Sequence, residues 1–168
     1  MTTSFRLEHD FPGISLKKFI KYLNHPKLNE MLTGMPAFRS RDLIEEQKLP
    51  NGETHWKFKV VAGGDIPPAV SKFVSPDMFS WVETSRFDPT DQCIHFTIEP
   101  LIAKDKFAGQ GKWILQSDKK GTKRVIEGDI TFKIPFIGKV IEAYLVKELT
   151  RNYEIEPDIQ RRFYAEMD

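Results

Sequence analysis

Late in the chain the spacing of apolar residues changes, and that change restricts what the sequence can fold into. From Arg124 to Ile134, the residues Ile126, Gly128, Ile130, Phe132 and Ile134 alternate with Glu127, Asp129, Thr131 and Lys133, the period of a strand with one apolar face. Beyond Pro135 the period becomes 3.6. Ile137, Val140, Ile141, Tyr144, Leu145, Leu149 and Asn152 trace one stripe, with Lys139, Glu142, Lys147 and Arg151 off it. The pattern predicts a helix from Ile137 to Pro157, about 30 Å long at 1.5 Å per residue. A break is expected at Pro157, with Ile159 and Phe163 continuing the stripe beyond it. A single stripe of this length needs an apolar partner of similar extent, and the concave side of a sheet is the partner available.

The preceding residues supply that sheet. Phe5, Leu7, His9 and Phe11 alternate with Arg6, Glu8 and Asp10 up to Pro12-Gly13. Two short helices follow, one capped by Ser15 and carrying Leu16, Phe19, Ile20 and Leu23, the other from Lys27 to Leu32, with Asn24-His25-Pro26 between them. Arg41 to Leu49 reads as a charged edge strand, and Asn51-Gly52 as a hairpin turn. The returning strand sets Trp56, Phe58 and Val60 opposite His55, Lys57 and Lys59, and ends at Gly63-Gly64-Asp65. Pro67 to Phe73 reads as a short helix with proline in its first turn. Strands are then expected at Phe79–Phe87, Ile94–Pro100, Phe107–Gln116 and Arg124–Ile134. The fold class is α+β: a seven-stranded antiparallel sheet, one long C-terminal helix across it, two short helices after the first strand, and residues 1–168 as one domain.

Charge and composition exclude several functions. Lys plus Arg number 25 against 24 Asp plus Glu, without the basic excess of a nucleic-acid binder, so no nucleic-acid partner is expected. Apolar runs such as Ile134-Pro135-Phe136-Ile137 fall far short of the ~20 residues of a membrane-spanning helix. The stretch Met1 to Glu8 lacks the basic start and apolar run of a secretory signal, and Cys93, the single cysteine, has no partner for an internal disulfide. These features predict a cytoplasmic protein. Thirteen Phe, four Tyr and three Trp, several at alternating strand positions, either fill a core or line an apolar cavity.

Element order and three stretches, Ile66-Pro67-Pro68-Ala69-Val70-Ser71-Lys72-Phe73-Val74, Trp81-Val82-Glu83 and Ile134-Pro135-Phe136-Ile137-Gly138-Lys139-Val140-Ile141-Glu142, resemble the START-like (SRPBCC, helix-grip) superfamily. Within it the chain is most similar to an uncharacterised bacterial family related to polyketide cyclases and lipid-transfer proteins. The resemblance spans nearly the whole chain and brings no catalytic motif. It implies a curved sheet wrapped around the long helix, and a cavity between them that opens near the short helices. The function it implies is binding or transport of a hydrophobic or amphipathic small molecule, such as a lipid, fatty acid or polyketide, with no cofactor. Trp56, Phe58, Phe96, Trp113, Leu115, Ile130 and Phe132 are expected to face that cavity, with Val140, Ile141, Tyr144 and Leu145 from the helix. Trp81 and Phe87 share a strand face with Glu83 and Ser85. Glu83, Ser85 and Glu148 are the candidate polar anchors.

Each of these residues also has a plainer reading. The aromatics are core residues, Glu83 pairs with Arg86 or a lysine at the sheet rim, and Glu148 faces solvent beside Lys147 or Arg151. An enzyme of the cyclase or hydrolase sort would instead need an acid–base pair in the cavity, Glu83 with Tyr144 or His9. An interaction protein would have a solid interior. Gly109 and Gly111 lack the third glycine and the helix of a dinucleotide loop, and with Gly128 read as bulges or bends that curl the sheet. Cys93 and His95 share an outward strand face, too few ligands to predict a metal. Lys119, Lys120, Lys123 and Arg124 form a basic hairpin tip, either a solvated turn or a transient contact with anionic lipid headgroups. Ile66 to Phe73 is either a gate over the cavity or an ordinary connection. No pattern in the sequence encodes an oligomeric state.

Overall fold

The computed structural model describes residues 2–36, 38–63, 66–73 and 75–168, so the turn expected at Gly64-Asp65 lies outside the described residues. Strand β1 (Thr2–Pro12) leads into helices α1 (Leu16–Lys21) and α2 (Pro26–Thr33), then strands β2 (Phe38–Lys48) and β3 (Thr54–Ala62). A one-turn helix α3 (Pro68–Ser71) and a 3-10 turn (Pro76–Phe79) precede β4 (Ser80–Asp88), β5 (Cys93–Pro100), β6 (Phe107–Ser117) and β7 (Gly121–Phe132). Helix α4 (Gly138–Glu166) ends the chain. All seven strands form one antiparallel sheet in the order β1-β7-β6-β5-β4-β3-β2. Strand β1 crosses to the far edge, and the two short helices occupy that crossing. This is the architecture expected from the alternation.

Local chemistry sets the element ends. The Ser15 hydroxyl accepts from the Lys18 amide at 3.2 Å and caps α1. His25 Nδ1 accepts from Lys27 N, and Pro26 at the first helical position starts α2. Gly52, at φ 89°, turns the chain between β2 and β3. The register then aligns Trp56, Ser85, Phe96, Gly111, Gly128 and Phe5 in one row across β3, β4, β5, β6, β7 and β1, which defines the inward face.

The glycines do not act as bulges. Pairing through β5, β6 and β7 is continuous, whereas the register shifts fall in β2, between Phe38 and Ser40 and between Leu43 and Glu45. A Cβ on Gly111 would sit 2.6 Å from Phe96 Cζ, and one on Gly128 would sit 2.6 Å from Phe5 Cζ. The bare backbone at both positions makes room for two phenyl rings on the inward face.

Helix α4 is not broken at Pro157 but runs through it for 29 residues, about 43 Å at 1.5 Å per residue. A proline inside a helix removes one bond and frees the carbonyl four residues earlier, at a cost of about 3 kcal/mol. Here that carbonyl belongs to Tyr153, and the His9 ring hydrogen-bonds to it. The helix is also held at both ends. Near its C-terminus, Phe163, Tyr164 and Ile159 pack with Phe11, Phe19 and Leu28, and the Tyr164 hydroxyl donates to Phe19 O at 2.7 Å. Near its start, Ile141 packs with Val70, Phe79 and Phe132. There Glu142, which the helical stripe placed outside the core, is buried and accepts from Phe132 N at 2.9 Å and Thr3 Oγ1 at 2.8 Å.

Between these supports one charged group ties helix to sheet. Arg124 is wholly buried; its Nη1 donates to Glu156 Oε1 at 3.0 Å and its Nη2 to His9 Nδ1 at 3.1 Å. The guanidinium also lies 4.6 Å from the Trp113 ring centroid. The expectation that Arg124 belongs to an exposed basic tip is therefore corrected. The β6–β7 turn closes at Asp118, whose carboxylate accepts from Lys120 N and Gly121 N, and Arg124 lies three residues inside the strand on its inward face. Removing one member of a buried pair strands the other. Arg124→Met and Glu156→Leu should each cost about 3–5 kcal/mol, and the double variant much less than their sum. Urea unfolding of the four proteins measures this, and strictly additive losses would contradict the pairing.

Candidate functional site

Between the two packed ends of α4 the interior is hollow. A cavity of about 210 Å³ lies between the helix and the inward face of the sheet. The sheet contributes Trp56, Phe58, Trp81, Phe96, Trp113, Ile130 and Phe132 to its wall, and the helix contributes Tyr144, Leu145, Glu148, Leu149, Asn152, Tyr153, Glu156 and Gln160. Leu23, Leu32 and Met35 from the α1–α2 region close one side. Strand alternation and the helical repeat together produce this convergence, since each element turns one face inward.

Most of the residues singled out from sequence meet here. Trp56, Phe58, Trp81, Glu83, Phe96, Trp113, Ile130, Phe132, Tyr144 and Leu145 all line the cavity. Three lie elsewhere. Leu115 belongs to the solid core, Ile141 is buried in the cluster with Val70 and Phe79, and Val140 is exposed to solvent. The helix is thus rotated so that 144/145, 148/149 and 152/153 face inward, which brings Glu148 to the wall rather than to solvent. A solid interior is not what the structure has. Of the segment read as a gate, Ile66 lines the cavity while Val70 is fixed in the core.

The polar part of the wall centres on an ion pair that alternation alone did not disclose. Arg41 Nη2 lies 3.2 Å from Glu83 Oε1, its Nη1 donates to Asn29 Oδ1 at 2.8 Å, and its guanidinium sits 3.5 Å from the Phe58 ring centroid. Ser85 Oγ donates to the same Glu83 oxygen at 3.2 Å. Glu83 therefore answers to Arg41, not to Arg86, which reaches Glu53 and Asp88 instead. Further along the wall, Gln160 Nε2 donates to Glu156 Oε1 at 3.0 Å, leaving Gln160 Oε1 buried without a partner among the described residues. Trp81 Nε1 is likewise buried and unpartnered there. Native proteins leave few such atoms.

Sequence reasoning missed Arg41, Tyr153, Glu156 and Gln160, and it placed Asn152 on the helical stripe without assigning it to the cavity. Tyr153, Glu156 and Gln160 lie on the inward side of α4 but off the apolar stripe that was followed. Arg41 stands on an edge strand whose bulges defeat simple alternation.

His9 is not in the cavity wall. Its Nδ1 accepts from Arg124, so the ring proton is on Nε2 and is the one given to the Tyr153 carbonyl. Burial, and then the Arg124 charge, push its pKa from 6.5 down to about 4. Burial also raises the pKa of Tyr153, which lines the cavity as a neutral phenol. Outside the cavity, Asp91 in the turn before β5 and Cys93 and His95 on the outward face of that strand hold ligand atoms within 4.8 Å of one another. Burial raises the Cys93 pKa, so the thiol rather than the thiolate is favoured. No described helix is long and apolar enough to cross a membrane.

The family described as "Protein of unknown function (DUF2505)" matches residues 8–163. The chain belongs to this family. Among curated proteins, none matches in sequence. Several solved structures share the architecture, a helix-grip fold. The protein TTHA0849 from Thermus thermophilus is 16 % identical, with TM-score 0.65, covering 98 % of this chain and 99 % of that one. The Zhui aromatase/cyclase from Streptomyces sp. R1128 is 12 % identical, with TM-score 0.64, covering 98 % and 93 %. Norcoclaurine synthase from Thalictrum flavum, in complex with dopamine and hydroxybenzaldehyde, is 11 % identical, with TM-score 0.64, covering 100 % and 89 %. At these identities the likeness shows the fold.

The His9 arrangement carries a pH signature. Because its folded pKa lies below the unfolded 6.5, the stability from the neutral ring is complete above pH 6.5 and lost as pH falls through about 4. The wild-type advantage in Tm over His9→Gln should therefore shrink as pH falls from 6.5 to 4. Thermal scans at each pH measure it, and a constant gap would show that His9 does not titrate this way.

Proposed function

We propose that this protein binds a compact apolar or amphipathic molecule in the cavity under α4. The observation that carries this reading is a hollow, mainly apolar interior between the two clusters that seat α4, with a polar wall grouped around Arg41, Glu83 and Gln160. Excluding water from the guest's hydrocarbon supplies the driving force, about 25 cal/mol per Å² of apolar surface. At about 210 Å³ the cavity is smaller than the ~300–1,000 Å³ of drug-sized sites, which favours a ring system over a long acyl chain.

Charge narrows the class further. Among the described residues of the wall the one cation is Arg41, already paired with Glu83, while Asp129, Glu148 and Glu156 add carboxylates. A fatty acid would bring its carboxylate into a site with no free cation to receive it. The unpartnered Trp81 N–H and Gln160 oxygen favour a neutral guest bearing both a carbonyl and a hydroxyl. The aromatase/cyclase and the norcoclaurine synthase complex give the same direction by analogy of fold. Of the residues first considered for an acid–base couple, Glu83 and Tyr144 both line the cavity, Glu83 is bound to Arg41, and His9 lies outside the wall.

All three tryptophans line the cavity, so intrinsic fluorescence reports its occupancy. Titration with 6-acetyl-2-naphthol, a neutral hydroxy-ketone whose two polar groups lie too far apart to bond each other, should quench this emission saturably, and laurate should do so at least tenfold more weakly. The filling variant Ile98→Phe/Leu149→Phe should weaken naphthol binding tenfold or more while keeping its cooperative melt. Gly128→Leu is unsuitable for this purpose, because its Cβ would collide with Phe5 and the Gln110 carbonyl and disturb the sheet. Equal quenching of the filled variant and the wild type would refute the cavity as the binding site.

A further inference from the structure

The large apolar side chains left exposed are not scattered. Of the seven among the described residues, Leu43 and Ile44 lie on the edge strand β2, while Phe73, Leu101, Ile102, Phe136 and Val140 lie on three connections and the first turn of α4. Those connections, β3 to β4, β5 to β6 and β7 to α4, all leave the sheet at the end where β1 begins. Backbone bonds tie them together, Lys133 N to Lys106 O at 2.7 Å and Leu101 N to Ser80 O at 2.9 Å. Beneath them sits the cluster of Val70, Phe79, Phe132 and Ile141. This end is therefore a supported platform with apolar tips.

Two of those tips are presented by constrained backbone. Phe136 is fully exposed at φ 68°, and Ala103, next to Ile102, is at φ 53°. A β-carbon residue resists that left-handed conformation, so the outward placement is built into the loops. Around the tips stand five exposed lysines, Lys72, Lys104, Lys106, Lys133 and Lys139, against Asp77, Asp105 and Glu99, the last paired with Lys104. Apolar residues at loop tips inside a lysine collar match the layered chemistry of a bilayer, hydrocarbon beneath anionic headgroups. A second copy of the chain would bring two lysine collars face to face.

We propose that this end of the molecule docks on membranes carrying anionic lipid. The opposite end, including the Lys119-Lys120 turn, carries none of the exposed large apolar side chains and serves as the control. There Lys123 is also paired with Glu8 at 2.7 Å, and Arg124 is interior. The proposal is independent of which guest the cavity takes.

Co-sedimentation with vesicles of phosphatidylcholine and phosphatidylserine tests it. Binding should be strong on mixed vesicles at low salt and at least tenfold weaker on phosphatidylcholine alone. It should also fall tenfold or more in Phe73→Ser/Phe136→Ser and in Lys133→Glu/Lys139→Glu, both chosen at exposed positions and checked for an unchanged melt. Lys119→Glu/Lys120→Glu should bind like the wild type. Absence of vesicle binding, binding indifferent to Phe73 and Phe136, or loss confined to the Lys119/Lys120 variant would each overturn the proposal. So would a concentration-dependent dimer, seen by sedimentation equilibrium, that Phe136→Ser disperses.

Discussion

A guanidinium with no access to water fixes how far the long helix stands from the sheet. Arg124 projects from β7 and reaches Glu156 on α4, and Glu156 in turn holds Gln160. Burying such a pair costs desolvation that its own attraction barely repays, so its value is geometric as much as energetic. A leucine pair at these positions would let helix and sheet close on each other. The charged pair, with the Trp113 and Tyr153 rings around it, sets a spacing that the helix must respect.

That spacing has consequences along the whole helix. Its last turns are seated on the α1–α2 region through Phe163 and Tyr164, and its first turns on β7 through Glu142 and Ile141. Between them Tyr144, Leu149 and Asn152 line the cavity together with Phe96 and Trp113, while Leu145 also packs against the cluster at the helix start. A container results from two solid ends and a strut between them.

Much of this was legible in the sequence because it is periodic. Strand alternation through Trp56-Phe58-Val60 and Ile126-Gly128-Ile130 correctly gave the inward face, and the change of period at Pro135 gave the helix. What the sequence concealed depends on distant partners. Proline at 157 looks like a terminator because its penalty is local, while the His9 ring that offsets it lies on the first strand. Arg124 looks like part of a basic turn until its parity with Ile126 is followed inward, a signal that was present. Arg41 was hidden for another reason: the two bulges of β2 shift its facing, and only the register with β3 and β4 brings it to Glu83. Val140 was the one stripe residue wrongly assigned inward, since it stands at the margin of a stripe whose other members face the cavity or the core.

The paired glycines at 111 and 128 matter for the shape of the hollow. Because neither carries a side chain, the Phe5 and Phe96 rings rest on naked peptide in the middle of the sheet. The floor of the hollow is thus two phenyl rings laid over backbone, and its depth is set by a pair of side-chain torsions as well as by the run of the strands.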